Sequence, residues 1–128
     1  MNDIKLMNKA ADNIRILAAS MVEKAKSGHP GGAMGGADFV NVPFSEFLVY
    51  DPKNPAWEGR DRYFQDPGHM SPMLYSVLAL AGKFTIDELK EFRQWGSVTP
   101  GHPEVNVMRG IENTSGPLGQ GHTYAVGA

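Results

Sequence analysis

The sequence contains no cysteine among its 128 residues. This absence excludes disulfide scaffolds, thiolate zinc sites, iron–sulfur clusters and cysteine nucleophiles. The sequence also lacks a strong excess of one charge, since 12 Lys and Arg residues face 14 Asp and Glu residues. Because no basic run stands out either, we expect no nucleic-acid-binding surface.

Long apolar runs are missing as well. No stretch approaches the roughly 20 apolar residues that a membrane helix needs, and the polar start, Met-Asn-Asp-Ile-Lys, is unlike a secretory signal. We therefore expect a chain that does not enter a membrane. The lack of cysteine is compatible with a reducing compartment, and we expect a cytoplasmic protein.

Glycine and proline, in contrast, are abundant. The chain has 15 glycines and nine prolines, together well above the usual share of these residues. Because 41% of the residues are hydrophobic, the composition is not that of a disordered chain. The sequence therefore predicts regular elements that are joined by long, specialised loops.

Apolar spacing predicts two helices in the first part of the chain. Residues 4–26 carry one apolar stripe with a spacing of three and four residues, and Asn2 or Asp3 can cap its start. A second helix is expected within residues 28–49. Pro43 should kink or split it, because proline cannot donate a backbone hydrogen bond.

The second part of the chain alternates short elements and loops. We predict a short buried strand at 62–65 and a helix at 70–81. A capping box at 85–88 opens a further helix. Residues 96–121 are predicted to be mostly loop, and residues 123–128 are predicted to start a helix.

About four helices and one candidate strand do not make a complete α/β domain. A loop of about 25 residues is also improbable inside an isolated small domain. We therefore interpret the chain as incomplete, mostly α-helical and with at most one or two short strands. Trp57 and Trp95 are expected to anchor its packing.

Each of the four histidines follows a glycine, and three of them lie in loops that also contain proline: 27–31, 66–69 and 99–104. Glycine permits sharp turns and proline stiffens them, so these loops can present imidazoles for acid–base or anion-binding work. Each loop alone is more typical of a histidine that is hydrogen-bonded to backbone, but the three loops together make one shared site an equal alternative. A zinc site stays an alternative, although the histidine spacing matches no local zinc motif.

A glycine-rich segment, Gly116-Pro-Leu-Gly-Gln-Gly121, precedes the last predicted helix. Backbone N–H groups at such a helix start can bind phosphate. The segment lacks the Lys-Ser/Thr pair of a P-loop, and a tight turn with close backbone packing explains it equally well.

Four motifs together resemble one enzyme family. Ser27-Gly-His-Pro-Gly31, Gly68-His69, Thr99-Pro-Gly-His-Pro-Glu104 and Gly116–Gly121 occur in the order found in transketolases. The resemblance extends over essentially the whole chain and points to the bacterial type.

The resemblance implies an α/β fold, with residues 1–128 as an incomplete N-terminal part of a doubly wound, thiamine diphosphate-binding domain. It implies thiamine diphosphate and Mg²⁺ as cofactors, with the metal ligands outside this chain. The implied reaction moves a two-carbon ketol unit from a ketose phosphate to an aldose phosphate. The implied whole protein is a homodimer, and this part alone is expected to be inactive.

The resemblance also implies roles for individual residues. His29 corresponds to a residue that faces the reacting carbon and its oxygen and assists proton transfer. His69 corresponds to a contact of the cofactor diphosphate, and His102 to a residue that recognises the terminal hydroxyl of the donor sugar. Three residues correspond to a backbone segment along the aminopyrimidine: Gly116, Pro117 and Leu118.

Some positions depart from the family pattern. Asp66-Pro67 stands where a Ser-Asn pair is frequent, and His122 replaces an aliphatic residue, so we expect His122 to be structural. Dihydroxyacetone synthase fits the same motifs almost as well. A non-catalytic binding or interaction module of the same ancestry is the alternative from a different functional class.

Overall fold

A computed structural model describes residues 2–128, and its regular elements are helices. They are α1 (Ile4–Ala25), α2 (Pro30–Gly35), α3 (Ala37–Val42), a π-helical turn (Pro43–Phe47), a 3₁₀ turn (Gly68–Met70), α4 (Ser71–Leu80), α5 (Ile86–Lys90), a second 3₁₀ turn (Val107–Arg109) and α6 (Gln120–Gly127). The predicted mostly α-helical character is confirmed.

The strand predicted at 62–65 is wrong. Within residues 2–128 the β-pairing consists of one isolated antiparallel bridge, between Asn106 and Ile111. The backbone N–H of Gln65 donates to the side chain of Asn113 (3.0 Å). A side chain thus accepts the hydrogen bond that the backbone of a neighbouring strand would accept in a sheet. The segment therefore does not form a β-ladder.

Helix α1 follows its predicted pattern closely. The Asp3 carboxylate caps its start and accepts hydrogen bonds from the backbone N–H groups of Lys5 and Leu6 (2.8 and 3.1 Å). The helix ends at Ala25, and Lys26 closes it with a left-handed φ of 52°. Its buried stripe repeats every three or four residues: Ala11, Ile14, Ala18 and Met21.

The second predicted helix is split, as its proline suggested. Helices α2 and α3 follow one another across Gly36, and a π-helical turn begins at Pro43. The carbonyl of Pro43 accepts a hydrogen bond from the N–H of Leu48 (2.8 Å), five residues ahead. A wider turn thus begins at the residue that cannot donate to the α-helical hydrogen-bond ladder.

Helix α4 lies at the centre of the core. Every residue from 71 to 78 is buried, and α1, α2, α3 and α5 pack around it. The ring of Tyr75 lies 5.4 Å from that of Phe84 and 6.3 Å from that of Phe92. A helix that is buried on all sides fixes the position of the loops at both of its ends.

The capping box of α5 is confirmed, and the helix that it opens is only five residues long. The Thr85 N–H donates to the Glu88 carboxylate (2.8 Å), and the Glu88 N–H donates to the Thr85 hydroxyl (3.2 Å). Since α5 ends at Lys90, Trp95 lies beyond it and is fully exposed. The expected packing role of both tryptophans is wrong, because Trp57 is also 43% exposed.

The C-terminal helix α6 begins at Gln120, three residues before the predicted start. Before it, the nearly buried Glu112 carboxylate accepts hydrogen bonds from Arg60 (2.7 and 3.0 Å) and Arg62 (3.0 Å). This ion cluster ties the segment after the π-helical turn to the long C-terminal loop. Within residues 2–128, no helix combines the length and apolar character needed to cross a membrane.

Candidate functional site

Two of the histidine loops meet directly. His29 is the exposed residue that precedes α2, and His69 lies half-buried in the 3₁₀ turn before α4. Their ring centroids are 4.8 Å apart with an angle of 49° between the rings. Residues 40 positions apart in the sequence therefore present their imidazoles at one place.

The loop of His102 is held by α4. The Tyr75 hydroxyl donates to the carbonyl of Pro100 (2.8 Å), and the Ser71 hydroxyl donates to the carbonyl of Gly101 (2.7 Å). Both donors are buried residues of a rigid helix. The exposed His102 is thus presented from a loop whose backbone is fixed on the side of the core.

The electrostatic environment of His102 connects it to the other two histidines. Its pKa lies below the ordinary value, first because the ring is partly desolvated and next because of the positive charge of Arg93. The imidazoles of His69 and His29 lower the pKa further. The neutral form is favoured near neutral pH, and a neutral imidazole can both donate and accept a hydrogen bond.

Ser115, the residue just before the glycine-rich segment, contacts the loops of His69 and His102. A Cβ added to Gly68 would lie 2.7 Å from the Ser115 hydroxyl and 3.0 Å from its carbonyl carbon. The Ser115 N–H donates to the carbonyl of Pro103 (3.0 Å). The adjoining residues are exposed beside these loops: Gly116, Pro117 and Leu118.

Two buried amides, which the sequence analysis missed, fasten this segment to the loop of His69. The Gln65 N–H donates to the Asn113 side chain (3.0 Å), which in turn donates to the Gln65 carbonyl (3.2 Å). Both side chains are almost fully buried. No local motif reveals such a pair, because the two residues are 48 positions apart.

The start of α6 is capped by an acid. The Gly119 N–H donates to Asp66 Oδ2 (2.9 Å), and His122 Nδ1 lies 3.3 Å from the same oxygen. A buried carboxylate at this helix start disfavours a second anion there. The structure therefore supports the turn and packing interpretation of residues 116–121 over phosphate binding by the helix start. His122 lies beside Asp66, and its structural role stays a prediction.

His69 and residues 116–118 have a chemistry that fits the implied cofactor. An imidazole at His69, next to an exposed and largely uncharged backbone segment at 116–118, suits the diphosphate and aminopyrimidine parts of thiamine diphosphate. Within residues 2–128, no three His, Asp or Glu side chains form a group that could hold a metal ion. The zinc alternative therefore has no ligand cluster in this part of the chain.

Comparison with known proteins gives a consistent result. The family model described as "Transketolase, thiamine diphosphate binding domain" matches residues 6–128. A transketolase of Buchnera aphidicola is 53% identical over 123 residues, which cover 95% of this chain and 18% of that protein. Chloroplastic transketolase-1 of Arabidopsis thaliana is 51% identical over 127 residues, which cover 98% of this chain and 17% of that protein. The chain thus spans less than a fifth of the length of these relatives.

Solved structures show the same similarity. A Campylobacter jejuni transketolase superimposes with a TM-score of 0.92 at 46% identity, over 98% of this chain and 20% of that one. A Pichia stipitis transketolase, solved in complex with sedoheptulose-7-phosphate, gives a TM-score of 0.90 at 45% identity. That match covers 94% of this chain and 18% of the Pichia chain.

Proposed function

The chain belongs to the family of the transketolase thiamine diphosphate-binding domain, and we propose that it is part of an enzyme that transfers a two-carbon ketol unit from a ketose phosphate to an aldose phosphate. Family membership confirms the resemblance carried by the four motifs. The observation that most supports the proposal is the meeting of His29 and His69 beside the loop of His102. We propose that residues 1–128 are the N-terminal part of the cofactor domain.

The proposed cofactor contacts come from two neighbouring loops. The His69 imidazole, half-buried before α4, donates a hydrogen bond to the diphosphate. The exposed segment of Gly116, Pro117 and Leu118 lines the aminopyrimidine through its backbone. When bound, thiamine diphosphate supplies the carbanion chemistry for breaking and forming the carbon–carbon bond. The Mg²⁺ ligands are proposed to lie outside this chain.

The proposed substrate contacts come from the other two histidines. His29, whose ring adjoins that of His69, holds or moves a proton at the oxygen on the reacting carbon. His102 hydrogen-bonds the terminal hydroxyl of the donor sugar. Its lowered pKa supports this role, because a neutral imidazole accepts a hydrogen bond from a hydroxyl group.

Sugar phosphates are the proposed substrates. The Pichia transketolase is described with sedoheptulose-7-phosphate, and a mutant of it with fructose-6-phosphate, which supports this substrate class. The acceptor preference of the full-length protein will separate a transketolase from a dihydroxyacetone synthase. A homodimer and a cytoplasmic location stay predictions.

The proposal is tested by assaying ketol transfer in the full-length protein that contains this chain. We expect transfer that requires both thiamine diphosphate and Mg²⁺, and residues 1–128 alone are expected to be inactive. The family matches do not favour the non-catalytic module. A full-length protein of verified mass that binds the cofactor but transfers no ketol unit would support that module and contradict the proposal.

A further inference from the structure

Arg93 has an unusual backbone conformation next to the histidine loops. Its φ is 63°, in the left-handed region that residues with a side chain seldom adopt. The Arg93 N–H donates to the carbonyl of Thr99 (3.0 Å), and the buried Thr99 hydroxyl donates to the carbonyl of Glu88 (3.0 Å). Surrounding contacts thus hold the chain in this conformation, which is often found at functional sites.

The side chain of Arg93 reaches the loop of His29. Its Nη1 atom donates to the hydroxyl of Ser27 (2.9 Å), two residues before His29. The guanidinium carbon also lies 5.7 Å from the ring centre of the buried Phe92, which forms one wall for the group. The orientation of the guanidinium is therefore fixed on one side by the core and on the other by Ser27.

The same guanidinium adjoins the loop of His102. A Cβ added to Gly101 would lie 2.8 Å from Arg93 Nε and 3.1 Å from Cζ. Glycine is thus required at position 101 for the guanidinium to lie against the backbone immediately before His102. One side chain therefore contacts both loops that carry the proposed substrate-binding histidines.

We propose that Arg93 is a positioning residue that acts through His102, and that its guanidinium fixes the separation of the Ser27 and Gly101 loops so that His102 can bind the donor sugar. The inference rests on the proposed function, because the role of His102 belongs to it. No local motif in the sequence marks Arg93, because its backbone conformation and its two contacts depend on distant residues.

The charge of Arg93 adds to its geometric effect. The charged groups that influence His102 are the Arg93 guanidinium and the imidazoles of His69 and His29. Glu104 lies with Arg93 and His102 along one open groove. The guanidinium and the two imidazoles lower the pKa of His102, and Arg93 contributes most among them. Loss of the Arg93 charge is therefore expected to let His102 become protonated at higher pH.

The test compares Arg93→Ala, Arg93→Lys and the surface control Arg15→Ala in the full-length protein. The control removes an arginine that pairs with Asp12 and Asp38. The readouts are kcat and donor KM against pH with fructose 6-phosphate, and the pKa of His102 from NMR of ¹³C-labelled histidine. The NMR titration does not depend on activity.

For Arg93→Ala we expect donor KM to rise about tenfold with kcat nearly unchanged, as for the loss of one charge-assisted contact. The pKa of His102 should move toward its ordinary value of about 6.5, and the acid limb of kcat/KM should move to higher pH with it. Arg93→Lys keeps the charge and should retain the acid limb of the wild type. Arg15→Ala should change none of these quantities.

An unchanged donor KM in Arg93→Ala would overturn the positioning role of Arg93. An unchanged titration of His102 in the same variant would overturn the influence assigned to the Arg93 charge. If Arg93→Ala does not fold, Ser27→Ala tests the proposal instead, because it removes only the hydrogen bond between Arg93 and Ser27. This variant should raise donor KM by a few-fold. A wild-type protein without ketol transfer would instead contradict the proposed function.

Discussion

The contact between Gly68 and Ser115 offers a sharp test of how the site is held together. In Gly68→Ala, the new methyl group would lie 2.7 Å from the Ser115 hydroxyl, 3.0 Å from its carbonyl carbon and 3.1 Å from its Cβ. Because one of these atoms is backbone, a rotamer change cannot relieve the overlap. Residues 113–118 would have to move away from the loop of His69 by several tenths of an ångström.

The expected cost follows from overpacking of a buried contact, which typically destabilises by about 1–3 kcal/mol. Both Gly68 and Ser115 are buried, and the Ser115 N–H also supports the carbonyl of Pro103. The displacement should therefore reach both residues 116–118, which are proposed to line the cofactor, and the loop of His102. We expect a lower thermal unfolding midpoint and at least a tenfold weaker affinity for thiamine diphosphate, the latter equivalent to about 1.4 kcal/mol.

The assay uses the full-length protein, with thermal unfolding followed without cofactor and thiamine diphosphate affinity measured by titration calorimetry. Gly35→Ala is the matched control, because a Cβ at that exposed helical position would meet no atom of the described residues within 4 Å. The control should be as stable as the wild type or slightly more stable. Equal stability and equal cofactor affinity of Gly68→Ala and the control would refute the packing argument.

Three further changes test other parts of the structure. Tyr75→Phe leaves the Pro100 carbonyl without its buried donor and should lower stability by about 1–2 kcal/mol and raise donor KM. Asn113→Ala removes two buried hydrogen bonds and should cost about 2–3 kcal/mol. The hydrogen bond from Arg109 lowers the pKa of Glu88 to about 2, so this carboxylate stabilises the fold above about pH 4.5 and the effect is lost as pH falls toward 2. Glu88→Gln should therefore cost about 1 kcal/mol at neutral pH and reduce the acid sensitivity of the unfolding midpoint.

Each of these changes has a control and a contradicting result. Tyr124→Phe on the exposed α6 is the control for Tyr75→Phe and should leave stability and donor KM unchanged. If Tyr75→Phe also changed neither quantity, Tyr75 would have no role in holding the loop of His102. Full stability of Asn113→Ala would show that the amide pair is dispensable. Glu91→Gln removes an exposed carboxylate and should keep the acid sensitivity of the wild type. A Glu88→Gln profile that is parallel to the wild type would contradict the assigned pKa.

The parts of the fold that depend on local chemistry could be predicted from the sequence. The Asp3 cap, the Thr85 capping box and the break at Pro43 each involve residues within a few positions of one another. Such interactions act before tertiary packing and are visible as short patterns. The order of the histidine loops was equally accessible, because glycine and proline mark each of them.

The parts that depend on distant partners could not be predicted. The local sequence around Gln65 predicts a strand, but the Gln65 N–H donates to the buried side chain of Asn113, 48 residues away. Trp95 has the spacing of a core residue, but the left-handed turn at Arg93 ends the helical path before it. The contact between the rings of His29 and His69 depends on how the other helices pack around α4, which no local pattern predicts. Family resemblance, and not spacing, assigned the separate roles of the histidines.

We propose that His69 binds the cofactor and that His102 binds the donor sugar, from loops that lie together in the structure. The most direct measurement is the dissociation constant of thiamine diphosphate and the donor KM in full-length His69→Ala and His102→Ala. We expect His69→Ala to weaken cofactor binding by about tenfold or more, and His102→Ala to raise donor KM by a similar factor with cofactor binding nearly unchanged. The opposite pattern, or two variants that change both quantities equally, would contradict the account.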